Sequence, residues 1–516
     1  MPQNFIAADR DQVLLMPPSL RDWLPTEHLA WTVLEAVVEM DLSAFYSAYR
    51  ADGHGRPAYE PSMMVALLLY ACARGNRSSR GIERACVEDV AYRVIAANHA
   101  PDHSTIAEFR QRHEAPLAEL FTEVLSLCKE AGLVSVGVIA VDGTKLHANA
   151  SNHSNRDYGQ IARDILAEAD RIDREEDQLY GDRRGDELPE QLRTAEGRRV
   201  ALREAKQRLE RQRQGKSDAS APGADADPPP VKLRLDPAVI VARVKGREGW
   251  SQEARRQLDE HRRLLARPIP RSRAERLLET ERRLIEDLAV EREANEAYWA
   301  YRARGVMKDG RRFGGPPKPY VPPEEPQGKV NLTDPDSRNL KAFRGYVQGY
   351  NAQAVVTEEQ IVLAAEVNCD PPDFGHLQPM ITATQAELEK VGVTEQPSVV
   401  LGDAGYWHHE QMDNLAAQGL TVLIPPDAAK RKGERPGWKG GRYSWMRNVL
   451  SSELGARLYR RRSPMIEPVF AQIKFNRKID RFQRRGRSAA RSEWRLAAAT
   501  HNLLKLHSHR IATAGA

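Results

Sequence analysis

Apolar positions along this chain change their period twice, and the changes divide it into parts. From Pro17 to about Gly132 they recur every three or four residues, as in WTVLEAVVEM and PSMMVALLLYACARG, which predicts helices and no strand. Within this part, SSRGIERACVEDVAYRVIAANHAPDHSTIAEFRQRH predicts a helix with a serine start and a break at Ala100-Pro101. A second helix follows, capped by Ser104 or Thr105 and carrying Arg110, Arg112 and His113. The pair fits a helix-turn-helix whose second helix enters a DNA groove; an ordinary helical hairpin is the plainer reading. The stretch VIAVDGTKLHANAS, Val138 to Ser151, then reads as a strand that runs into Asp142 and is ended by Gly143.

After Ser151 charged residues dominate, and residues 152–330 read as an insertion of long charged helices. Pro, Ala and Asp in GKSDASAPGADADPPPVK predict a disordered linker at 215–232. Leu258, Leu264, Leu265, Leu277, Leu278, Leu284 and Leu288 recur at helical spacing, which predicts a helical hairpin or loose coiled coil. From Gly345 the period shortens. GYVQGYNAQAVV, QIVLAAEVN, PSVVLGD and LTVLIPP read as strands, HLQPMITATQAELEKVG and HEQMDNLAAQG as helices, and PMIEPVFAQIKFNRKIDRF as a basic helix. The expected division is 1–132 as a helical DNA-binding part, 133–151 as the first core strand, 152–330 as the insertion, and 331–508 as the rest of a mixed α/β core.

Charge sharpens this picture. The formal net charge is +5, yet Arg457 to Arg495 alone holds thirteen Arg or Lys against Glu467, Asp480 and Glu493, a net +10 that leaves the remainder acidic. Dense Arg with Tyr459, Phe470, Phe475, Phe482 and Trp494 suits a phosphate-rich partner; a solvated surface helix is the bland alternative. The four cysteines form no CxxC pair, which excludes a zinc knuckle or disulfide framework and leaves reduced core thiols. The N-terminus lacks a signal-peptide pattern, and no run approaches the roughly 20 apolar residues of a membrane span. The expectation is a cytoplasmic protein.

Two strands end alike: Asp142 follows VIAV, and Asp403 follows VVLG with Gly405 close behind. Chemistry in α/β sheets gathers beyond strand ends. Glu467 opens the basic helix. Three carboxylates converging in a water-poor place need cations among them, and Mg²⁺ suits oxygen ligands, waters and substrate phosphates. Two such ions, with Mn²⁺ as a substitute, would flank a scissile phosphate. A lone Asp before Gly is otherwise an ordinary turn former, and Asp370 and Asp373 in NCDPPDFGH read as a turn. His147, His408 and His409 would favour zinc or manganese, but they show no HxxxH spacing. Trp407 and Tyr406 read as structural, with base stacking as the alternative.

VDGTKLHANAS, DAGYW and YRRRSPMIEPVFAQIK together resemble the catalytic blocks of DDE transposases of bacterial insertion sequences, in the group with a Tyr-Arg-Glu-Lys motif. DPDSR, GYNAQ and PDHSTIAEFR share the likeness, and the insertion is its least covered part. The resemblance implies a ribonuclease-H-like core with strand order 3-2-1-4-5, and Asp142, Asp403 and Glu467 as the metal-binding triad. It implies cleavage at the element's ends and transfer of the freed 3′-hydroxyl into target DNA, with terminal inverted repeats and target DNA as partners, a homodimer on paired ends, and a place on the bacterial nucleoid. In that motif two residues separate Tyr from Arg, three Arg from Glu and six Glu from Lys. Tyr459, Arg462, Glu467 and Lys474 fit except that four residues separate Arg462 from Glu467, which leaves Arg461 or Arg460 as alternatives for the arginine. Tyr459, Arg461, Arg462, Lys474, Arg477 and Lys478, with Arg110 and Arg112, are the expected DNA contacts. A nuclease of the same fold without strand transfer and a DNA-binding protein without chemistry are the other readings.

Overall fold

Why the strand before Asp142 exists is settled by its neighbours. The structure, a computed structural model, describes residues 19–49, 57–180, 203–207, 209, 231–238, 240, 246–265, 267–307, 310–342, 345–428, 431 and 433–514. The expected linker at 215–232 lies outside these but for its last two residues.

The strands are β1 (Val138–His147), β2 (Asn155–Asp157), β3 (Lys329–Asn331), β4 (Arg338–Ala342), β5 (Gly345–Val356), β6 (Val362–Asn368), β7 (Val399–Leu401) and β8 (Thr421–Leu423). The main sheet runs β6-β5-β1-β7-β8, with β4 also on β5. Counting the five core strands along the chain, this is the order 3-2-1-4-5, consistent with a ribonuclease-H-like sheet. β5 is antiparallel to β1 and to β6, while β7 and β8 run parallel to β1. Both faces are covered, so β5 and β6 are almost wholly buried and read as apolar runs.

β1 does not end at Asp142. It pairs with β5 residue for residue from Ala140↔Val356 to His147↔Gly349, so the strand passes through Gly143. Gly143 marks a close approach within the strand: a Cβ there would lie 2.3 Å from Gln353 Nε2 and 2.4 Å from Asp373 Oδ1.

The helices are α1 (Leu29–Glu39), α2 (Ser43–Tyr46), α3 (Pro61–Ala73), α4 (Ser79–Glu88), α5 (Val90–Ile95), α6 (His103–Arg112), α7 (Glu114–Glu130), α8 (Tyr158–Tyr180), α9 (Arg247–Leu265), α10 (Arg273–Ala303), α11 (Leu377–Lys390), α12 (His409–Ala417), α13 (Gly441–Ser451), α14 (Glu453–Arg460), α15 (Arg462–Ala471) and α16 (Arg487–Ala514). α3 starts on a proline at its first turn and is apolar on all sides, which fits its burial at the centre of the N-terminal helices. α6 is capped by Asp102, whose side chain accepts from Thr105 N at 2.8 Å, and not by Ser104 or Thr105. α16 runs past the expected end at 508 to Ala514.

The N-terminal helices and the sheet share one hydrophobic core that extends from Ala30 to Leu506. α7 packs on α16, and there Arg495, 1% exposed, donates to Ala118 O at 2.7 Å and to Glu387 at 3.0 Å. Among the described residues, therefore, no break in packing marks residue 132. The insertion has two small cores of its own. Ile161, Ile165, Leu277 and Leu284 form one; Trp250, Leu258, Tyr298 and Tyr301 form the other. α9 and α10 make the expected hairpin, although Leu264 is exposed. β2 and β3 pair where the chain leaves and re-enters the core. The DPDSR segment ties the insertion down: Asp336 accepts from Arg283 at 2.6 Å, and Arg338 lies 3.5 Å from Asp259.

Candidate active site

The parallel pairing of β1 and β7 aligns Ala140 with Leu401. Two residues further along each strand stand Asp142 and Asp403, at the same level where β7 has ended and water can enter. Asp142 accepts from Gly143 N at 2.8 Å and from Arg462 Nη2 at 2.5 Å. Asp403 caps the short turn Ala404–Tyr406, accepting from Gly405 N at 2.8 Å. Burial pushes the Asp142 carboxyl up to about 7; Arg462 opposes the shift, and Asp403 and Asp373 add to it. Asp403 is raised for the same first reason, with Arg462 again opposing.

Arg462 reaches Asp142 because it opens α15, a helix that packs on β1 through Met465, Ile466 and Val469. Tyr459, one turn earlier on α14, donates to Gly402 O at 3.3 Å, and burial lifts its hydroxyl to about 12. Lys474 donates to Thr144 Oγ1 at 2.8 Å and to Lys145 O at 3.3 Å. Tyr459, Arg462 and Lys474 therefore gather around the aspartate pair, but they do so by holding protein atoms.

Among the described residues no hydrogen bond or ion pair ties Glu467 to the aspartate pair. It is exposed on α15, five residues after Arg462. The expected continuous helix through Lys474 is also interrupted, by a π-helical turn at Gln472–Asn476, so Lys474 is not two α-turns along the face of Glu467. Such turns often mark functional sites.

A further acid, Asp373, stands close to the pair. Its Oδ1 accepts from Asn351 Nδ2 and Gln353 Nε2, each at 2.8 Å, and from Lys145 Nζ at 3.2 Å. Its backbone carbonyl also accepts from His376 N at 3.2 Å, so the expected turn is present and the carboxylate serves the site as well. The signal for it was GYNAQ, whose Asn351 and Gln353 stand two apart on one strand and face one side. Tyr406 is buried and donates to Gln353 Oε1.

The other expected contacts divide by burial. Arg477 is buried, with its guanidinium 3.4 Å from His501 Nδ1, because the chain packs it under α16. Arg110 turns inward and donates to Arg77 O at 2.8 Å. Lys478 is exposed, Arg461 pairs with Glu358 at 2.7 Å, and exposed Arg112 pairs with Glu108 at 2.6 Å. His408 caps α12 and packs on Phe374, and His409 bonds Tyr443 at 2.9 Å, so neither meets the acids. Trp407 is buried among Trp438 and Tyr443, a structural place. All four cysteines are buried and unpaired.

Asp142 and Asp403 offer only hard carboxylate oxygens, the donor type that suits a divalent cation such as Mg²⁺. Among the described residues, no three acids, histidines or cysteines already stand as a metal cage.

Residues 18–112 match the family described as "Transposase domain (DUF772)", and residues 329–503 match the "Transposase DDE domain", together just over half of the chain. The chain belongs to the DDE transposases of insertion sequences. DDE transposases cut and join DNA by metal-dependent phosphoryl transfer, and DNA is the partner of this one. No curated protein and no solved structure matches the chain. Among the described residues of this transposase, no helix is long and apolar enough to cross a membrane.

Proposed function

We propose that this transposase works through Asp142 and Asp403 as the acidic pair of a ribonuclease-H-like site, with Glu467 as the third acid and Mg²⁺, two ions, as the natural metal. The observation that carries this is the register of β1 and β7, which sets two desolvated carboxylates side by side with one guanidinium between them. When bound, the metal supplies Lewis-acid activation of the attacking oxygen and stabilises the leaving one. Mn²⁺ has the same oxygen chemistry and should substitute.

The chain's own residues prepare the place. Arg462 opposes protonation of both aspartates against the burial that favours it, and a bound cation would act in the same direction. Asp373, already saturated at Oδ1 by three donors, acts by fixing Lys145, Asn351 and Gln353 beneath the pair rather than as a ligand. Lys474, placed at Thr144, and exposed Lys478 present positive charge to the DNA strand, with half-buried Arg461 able to exchange Glu358 for a phosphate. Tyr459, Arg462, Glu467 and Lys474 support a place in the Tyr-Arg-Glu-Lys group, with one residue more than the motif between Arg462 and Glu467. The N-terminal helices, including Arg112, read the terminal repeats, and the protein acts as a dimer on paired ends.

The test is cleavage of end-labelled DNA from the borders of this gene in Mg²⁺, followed by joining to a target plasmid. Asp142→Asn, Asp403→Asn and Glu467→Gln should each abolish cleavage and leave DNA binding intact. Full activity in one of them removes that residue from the triad, and hydrolysis by the wild type without joined product would favour a plain nuclease.

A further inference from the structure

A cleft of about 960 Å³ lies outside the aspartate site, between α6, the Arg267–Arg271 loop that joins α9 to α10, and the loop before α16. Its lining is dense in arginine. Several of these are neutralised, as Arg262 is by Glu286 at 2.9 Å and Arg491 by Glu366 at 2.6 Å. Five are not. The guanidiniums of Arg110, Arg271, Arg276, Arg485 and Arg487 donate only to neutral acceptors: Arg77 O and Ser79 Oγ, Gln111 Oε1, Arg271 O, Asn149 O and Val367 O respectively. Among the described residues none of the five has a carboxylate at ion-pairing distance. Arg276 Nε is buried with no hydrogen-bond partner, and burial together with the nearby Arg485 lowers its pKa. Like charges converging on a cleft, one with an unused buried donor, call for an anion with several oxygens.

The position says which anion. Cys369 lines the cleft and Asp373 lies in the aspartate site, and four residues of chain span at most about 14 Å. That is roughly four nucleotide rises along a DNA strand. We propose that the cleft binds the phosphates of the DNA strand leading to Asp142 and Asp403, and that the insertion serves to wall this channel. The inference deepens the functional reading above and rests on it for the direction of the strand.

Binding is measured in EDTA, so that no chemistry takes part, with a duplex from the element's end over a series of salt concentrations. Each lost phosphate contact should lower the slope of log affinity against log salt by about 0.9, so Arg276→Ala with Arg485→Ala should lower it by about 1.8. Arg485→Ala alone, at an exposed position that leaves folding unaffected, should lower it by about 0.9. Lysine at both positions should retain most of the slope. An unchanged slope in both alanine variants overturns the proposal. So does a site that binds inorganic tripolyphosphate and loses it in the double variant while the DNA slope stays the same, since that is a small-anion site. Because cleavage is not read, inactive aspartate variants and an unchanged salt slope are separate failures.

Discussion

Gly143→Ala tests how tightly the floor of the site supports the aspartate pair. The new Cβ would lie 2.3 Å from Gln353 Nε2, 2.4 Å from Asp373 Oδ1 and 2.8 Å from Asn351 Oδ1. An ordinary carbon contact is near 3.5 Å, so the three groups must retreat by about 1 Å. They have little room: Gln353 and Asn351 are fully buried, and each donates to Asp373 Oδ1 at 2.8 Å. Two hydrogen bonds to a charged acceptor are worth roughly 3–6 kcal/mol together, and partial relaxation brings the expected loss to roughly 3 kcal/mol. Cleavage should fall about 100-fold, the usual result of a 1 Å misplacement. Gly137→Ala, where nothing lies within 4 Å of the added carbon, is the control. Urea unfolding and metal-dependent cleavage of labelled ends read both effects. A Gly143→Ala protein within about 1 kcal/mol of wild type and fully active would refute the reasoning, because a tolerant glycine replacement otherwise stabilises slightly, by about 0.4–1 kcal/mol.

Two further outcomes follow from buried charge. Arg495→Ala should cost about 3 kcal/mol in urea unfolding, since buried Glu387 keeps only the more distant Lys390 at 3.5 Å and Thr122 as partners; a lysine cannot replace the fork that reaches Ala118, Thr122 and Glu387, and a loss under about 1 kcal/mol would be inconsistent with this. In EDTA, the pKa of Asp142 near 7 stands above its ordinary 3.8, so its contribution to stability is complete below 3.8 and is lost as the pH rises toward 7. Wild type should therefore fall relative to Asp142→Asn across that window, and a difference that does not change with pH would contradict the burial assigned to Asp142.

The sheet was legible because its strands are long apolar runs, and the aspartate pair because both carboxylates stand at matching ends of such runs. What escaped the sequence was burial of polar groups. Arg477 and Arg110 look like surface cations in a charge count, yet both are turned inward, and Arg density does not distinguish a satisfied guanidinium from an available one. Asp373 was hidden by its neighbours Pro371, Pro372 and Gly375, which mark a turn whatever the carboxylate does. For Glu467, the sequence shows its place near the start of the basic helix, while its exposure there follows from Met465, Ile466 and Val469 taking the buried side of α15.

The two-stranded clasp of β2 and β3 pairs Asn155 with Asn331, so the chain departs from the core and comes home at the same spot. An excursion fastened at its neck leaves the register of the large sheet independent of how much polypeptide lies beyond. Lengthening such a loop costs only about 0.6 kcal/mol per doubling. The scaffold can thus accept growth, trimming or exchange of this appendage over evolutionary time while the paired carboxylates keep their alignment.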